Sequence, residues 1–110
     1  MRRSTNTRLS IVSRYYTLSA KAQRDIHSIA KQSMANFGEM QTREYVTGLK
    51  EVLGGLAINP DKGKSFTNKS DQREYCYLRY MSHVVYYRQR ERDIFIIRIL
   101  HRRMLPERHL

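Results

Sequence analysis

The chain has 110 residues, and its 21 Lys+Arg against 10 Asp+Glu leave a formal net charge of +11. That length holds one compact domain and leaves no room for a second independent core, and 40% hydrophobic with 28% charged residues is a globular rather than a disordered composition. Apolar runs such as 94–97 fall far short of the ~20 residues of a membrane span, the basic start lacks the apolar stretch of a secretory signal, and a lone Cys76 excludes an intrachain disulfide and a Cys-based zinc site.

Residues 1–13 are polar and basic and read as an arm that is either disordered or partly extends the first strand, followed by a single domain over 14–110. Such an arm is a passive tail or a contact to phosphates. Residues 15–18 are short and aromatic and read as a strand, which can start as early as Ile11. Ser19 is a helix N-cap. After it Ala22, Ile26, Ile29, Ala30, Ser33 and Phe37 recur at three- and four-residue spacing, which predicts a helix over 20–37 ended by Gly38. A second stripe of Gln41, Tyr45, Leu49, Val52, Leu53 and Leu56 follows at once, so the two helices form an antiparallel hairpin. Gly48 permits a close approach, Gly54 and Gly55 weaken the last turn, and Pro60 stops the helix. Residues 61–71, rich in turn formers and Lys, read as a mobile loop. Strands are predicted over 73–80, 83–88 and 94–100, joined by a turn at Met81-Ser82 and a charged loop over 89–93.

The expected architecture is α+β, in the order β-α-α-β-β-β: one antiparallel sheet with the helical hairpin on one face and Tyr and Arg side chains on the other. The strand at 94–100 is nearly continuous in apolar residues and reads as central. Strict alternation places Ile94, Ile96, Arg98 and Leu100 on one of its faces. Arg98 there needs a carboxylate partner, or an exit to the open face and a stack on Tyr86 or Tyr87.

The sequence shows no nucleophile–His–acid spacing and no Gly-rich phosphate loop. His27, His83, His101 and His109 are too scattered for a metal site, so no metal and no cofactor are expected. Tyr75, Tyr77, Tyr86 and Tyr87, with Arg73, Arg79 and Arg88 nearby, could stack nucleic-acid bases, but amphipathic packing is the plainer reading. The positive excess gathers at the two ends. Residues 1–18 hold four Arg and no acid, and 86–110 hold seven Arg against three acids. Such a surplus implies a polyanionic partner.

Five segments resemble the ParE toxins of bacterial type II toxin–antitoxin modules, within the ParE/RelE superfamily. They are LSAKA with Asp25-Ile26, Phe37-Gly38 with Gln41 and Tyr45, LAINP with Gly63-Lys64, SHVVYYR at 82–88, and IRILHRRM at 97–104. Asp71, Leu105 and Gly54-Gly55 depart from the family pattern. The resemblance implies a toxin in the bacterial cytoplasm that inhibits DNA gyrase without being an enzyme. It also implies neutralisation by an acidic ParD-like antitoxin in a hetero-oligomer, with no membrane and only secondary contact to nucleic acid. Target binding and toxicity then fall to Arg88, Arg98, His101, Arg102, Arg103 and Met104, and antitoxin binding to Tyr45, Leu49, Leu53, Tyr75 and Tyr77. A RelE-like ribosome-dependent mRNA endonuclease is the alternative, and it would use Arg73, Arg79, His83 and His101. That branch carries an acid/base group, usually Tyr, near its C-terminus, and this chain has no Tyr after Tyr87. A decayed module member that still binds antitoxin is a third reading.

Overall fold

The computed structural model describes residues 15–110; the arm expected over 1–13, and any start of the first strand before residue 15, lie outside them. The elements are β1 (Tyr16–Leu18), α1 (Ala20–Phe37), α2 (Glu39–Ile58), β2 (Lys64–Thr67), β3 (Glu74–Tyr80), β4 (His83–Gln89) and β5 (Ile94–His101). Short 3-10 turns lie at Pro60–Lys62 and Pro106–Arg108.

The helices form where the apolar stripes place them. The Ser19 hydroxyl accepts the Ala22 amide at 2.9 Å and donates to the Ile97 carbonyl at 2.7 Å, so one residue caps α1 and ties it to β5. Gly38 ends α1 at φ 88, in the left-handed region that glycine enters without strain, and α2 starts at the next residue. Leu49, Leu53, Leu56 and Ala57 of α2 and Ala22 and Ile29 of α1 are buried. They meet Val85, Tyr87, Ile94, Ile96 and Ile99 in the main core. Two glycines set the depth of this packing. The Tyr80 hydroxyl lies against Gly48 and donates to the Tyr45 carbonyl at 3.0 Å. The Tyr87 hydroxyl passes Gly63 and donates to the Pro60 carbonyl at 2.7 Å.

The sheet differs from the expected one in three ways. First, the stretch over 61–71 is not all loop. Lys64–Thr67 forms β2, pairing antiparallel with β3, and Phe66 anchors it against Tyr75, Tyr77 and Tyr86. A single apolar residue among Lys, Ser and Thr gives no period-2 signal. Second, the order is β1-β5-β4-β3-β2 and β1 runs parallel to β5, so the sheet is mixed and its central strand is β4, not β5. Third, the register shifts between Tyr86, opposite Arg98, and Tyr87, opposite Ile96. That bulge leaves Ile97 without a partner and breaks strict alternation. Ile94, Ile96 and Ile99 therefore face the helices, while Leu100 joins Val84 and Tyr86 in a second cluster on the opposite face. Leu110 packs on that cluster.

Candidate functional site

A cavity of about 650 Å³ opens between the hairpin corner, the β3–β4 turn and the end of β5. Ile29 and Phe37 come from α1, Tyr45 from α2, Met81 from the turn, and His83 and His101 from the sheet. His83 and His101 are opposed residues of β4 and β5, with ring centroids 5.5 Å apart and planes at 81°. The Tyr45 hydroxyl is 2.7 Å from His83 Nδ1, and His101 Nδ1 accepts the Arg103 amide at 3.2 Å. The amide leaves Nε2 of His101 free to donate, and the Tyr45 hydroxyl does the same for His83 in the tautomer in which it donates to Nδ1. Burial, and then the neighbouring His101, push the His83 imidazole below its ordinary pKa, against a smaller opposing pull from Asp25. Burial pushes the Tyr45 phenol up. The arrangement is a hydrogen-bonding floor of two histidines and a tyrosine under a mixed rim, in which Phe37 and Met81 stand among Gln32, Ser33, Asn36 and Gln41. Among the described residues none that lines the cavity is Asp, Glu, Lys or Arg.

The residues expected to carry target binding do not form one surface. His101 lines the cavity, and Arg102, Arg103 and Met104 follow it, exposed, in the turn that leaves β5. The Arg102 amide fastens that turn to the Ser82 carbonyl at 2.8 Å. Arg88 sits toward the other end of β4, five residues from His83 or roughly 17 Å along the strand, with its guanidinium 4.7 Å from the Tyr75 ring. Arg98 is engaged inside the fold. Its Nε and Nη2 donate to the two Asp25 carboxylate oxygens at 2.8 and 2.9 Å, and its Nη1 donates to the His109 carbonyl at 3.0 Å. Asp25 also accepts the Ile99 amide at 2.9 Å. The carboxylate thus takes the place of a strand along β5 beyond the short β1. Of the two outlets open to Arg98, the carboxylate partner is the one realised, with no stack on Tyr86 or Tyr87.

Of the residues expected to meet an antitoxin, Leu49 and Leu53 are fully buried. They seal the hairpin onto the sheet and offer a partner nothing, which corrects that expectation. Tyr45 is half-buried at the cavity. Tyr75 and Tyr77 belong to the aromatic cluster on the other face of the sheet, where Tyr75 is buried and donates to Asp71 at 2.5 Å. That hydrogen bond lowers the Asp71 carboxyl, while burial, and then Asp71, raise the Tyr75 phenol. Tyr86 is 7% exposed and Tyr75 5%, so the aromatic face is packed within itself rather than open to bases. Of the four nuclease candidates, His83 and His101 come together. Arg79 pairs with Val84, whose side chain lies in the second cluster on the face away from the helices. Arg73 precedes β3 at its far end, roughly 20 Å away along the strand.

Two members of these sites escaped the sequence reading. Asp25 was findable, being the sole acidic residue of α1 when Arg98 required a carboxylate. The contact of Tyr45 with His83 joins residues 38 apart through a helix crossing that no local pattern encodes. Among the described residues no group of three His, Cys, Asp or Glu could hold a metal ion, and no helix is long and apolar enough to cross a membrane.

Comparison with known proteins adds to this geometry. No curated protein sequence matches. Among solved structures, one titled as the chromosomal ParDE TA system from P. aeruginosa is similar with a TM-score of 0.66 and 17% identity, covering 83% of this chain and 98% of that one. A chain of the toxin–antitoxin complex RelBE2 from Mycobacterium tuberculosis is similar with a TM-score of 0.60 and 19% identity, covering 83% of this chain and all of that one, 100%. These show the shared two-helix, mixed-sheet fold. Residues 16–106 match the family model described as the ParE toxin of type II toxin-antitoxin system, parDE, and that match spans every strand and helix described above. The chain therefore belongs to the ParE toxin family of type II toxin–antitoxin systems.

Proposed function

We propose that this ParE-type toxin poisons DNA gyrase by binding, without being an enzyme, and that an acidic ParD-like antitoxin silences it in the bacterial cytoplasm. The observation that carries the reading is the family match over 16–106. Charge supports it: a chain at +11 favours an acidic partner and a target already bound to DNA. The poisoning surface in this reading is the exposed turn after β5, with Arg102, Arg103 and Met104 beside His101. Arg88 and Arg98 contribute through the fold that carries it. The antitoxin surface is the cavity with Tyr45; Tyr75, expected beside it, is buried in the aromatic cluster on the opposite face and offers a partner little.

Plasmid supercoiling by purified gyrase tests the target. Micromolar toxin is expected to inhibit supercoiling and trap cleaved DNA, and preincubation with the antitoxin encoded beside it is expected to restore activity. Full supercoiling with no cleaved product would sink the gyrase assignment. The ribonuclease reading has less support, because its two cations lie away from its two histidines; codon-periodic cuts in a labelled message during translation would revive it. Absence of growth arrest on expression without antitoxin would point to a decayed member.

A further inference from the structure

The two histidines at the cavity floor have no part in the poisoning just described beyond His101's place beside the turn. We infer that the His83–His101 pair is the seat for a carboxylate side chain of the acidic antitoxin, with Phe37 and Met81 gripping the apolar residue next to it. The inference rests on the reading that such an antitoxin binds this chain. It names the point of attachment and a proton linkage.

Four observations converge. Nδ1 of His101 accepts the Arg103 amide, and Nδ1 of His83 meets the Tyr45 hydroxyl, so with that hydroxyl as donor each ring has Nε2 free to donate. Two opposed imidazoles 5.5 Å apart can donate to the two oxygens of one carboxylate. The cavity contains no carboxylate of its own to satisfy them. Among the amides and hydroxyls of the rim, two large apolar side chains stand exposed where a lone folded chain would hide them, Phe37 at 62% and Met81 at 70%. Met81 also holds φ 52, a left-handed conformation that methionine adopts rarely. The net charge of +11 makes a second copy of this chain a poor occupant and an acidic segment a good one.

The linkage follows from what faces His83. Tyr45 from α2 and Tyr80 from the end of β3 are neutral phenols; His101 from β5 opposes a charge on His83; Asp25 from α1 favours one but is committed to Arg98; Arg102 and Arg103 follow His101. In the free protein His83 therefore resists protonation. An incoming carboxylate reverses that balance, so binding takes up a proton and affinity rises as pH falls.

Calorimetry of the full chain with the antitoxin encoded beside it, at pH 6 and pH 8 in buffers of different ionisation enthalpy, tests this. Proton uptake and several-fold tighter binding at pH 6 than at pH 8 are expected, below the roughly tenfold limit of a one-unit pKa rise. The double variant His83→Gln/His101→Gln keeps hydrogen-bond donors without the charge, and is expected to abolish both effects. Met81→Ser leaves the histidines intact, and is expected to weaken binding with proton uptake kept. Proton uptake that survives in the histidine double variant overturns the inference, and so does its absence in the parent complex. Imidazole signals of His83 and His101 that move with a duplex DNA oligonucleotide but not with antitoxin overturn it in favour of a phosphate seat. Failure of the antitoxin to bind at any pH removes the partner itself, and with it both readings.

Discussion

At the scale of single residues, the ion pair of Arg98 with Asp25 shows how one charge can do several jobs. The carboxylate receives two guanidinium hydrogen bonds and the Ile99 amide, and both side chains are largely shielded, at 16% and 14% exposure. Replacing Asp25 by Asn keeps the shape and leaves Arg98 half-buried without its counter-ion. A loss of about 2–3 kcal/mol in urea denaturation is expected. Asp93 gives a pH signature instead. Hydrogen bonds from Arg90 at 2.8 and 2.7 Å, then from Thr17 at 2.5 Å, hold its carboxyl at about 2. A folded value below the unfolded value near 3.9 stabilises the protein above about pH 4, and that contribution fades as pH falls from about 4 to about 2. Asp93→Asn should therefore cost most at neutral pH and flatten the acid limb of the stability profile, read in urea melts from pH 2 to 7. The need of Arg98 for a partner was legible in the sequence, because an arginine inside an apolar strand must be satisfied. Which acid meets it depended on the angle at which α1 crosses β5.

At the scale of elements, helices and the three long strands were readable because each repeats its apolar residues at its own period. β2 was not, since Phe66 alone carries its packing. The stripe of α2 was read correctly as a stripe and wrongly as a partner surface at Leu49 and Leu53. A helical face looks the same in sequence whether it meets its own sheet or another chain. Glycines in α2 and just beyond it separate into two kinds. A methyl at Gly54 would meet open space, so Gly54→Ala should raise stability by about 1 kcal/mol in thermal or urea melts. A methyl at Gly63, after the helix, would collide with the Tyr87 hydroxyl and the Tyr77 carbonyl. Gly63→Ala should cost about 1–3 kcal/mol by overpacking, read in the same melts.

At the scale of the whole molecule, the positive excess is a kinetic asset as much as a thermodynamic one. An acidic partner is drawn in by the field of a +11 chain, and salt screens that field over about 8–10 Å. Stopped-flow association with antitoxin should slow markedly between 50 and 500 mM NaCl while dissociation changes little. A rate indifferent to salt would mean that the surplus plays no part in capture. The cavity itself was invisible to sequence, because its walls come from both helices, a turn and two strands. Only the family resemblance pointed to a partner there.

The parallel pairing of β1 with β5 carries a consequence for how the protein comes into being. Tyr16 to Leu18 lie beside Ile94 to Ile96, and Ser19 is tied to Ile97, nearly eighty residues later in the chain. During synthesis the first strand has nothing to rest on until the last strand has left the ribosome. A prematurely terminated chain thus lacks the strand on which the hairpin is seated and the turn that follows it. The fold, and with it the cavity and the turn after β5, therefore exists only once nearly the whole chain has been made.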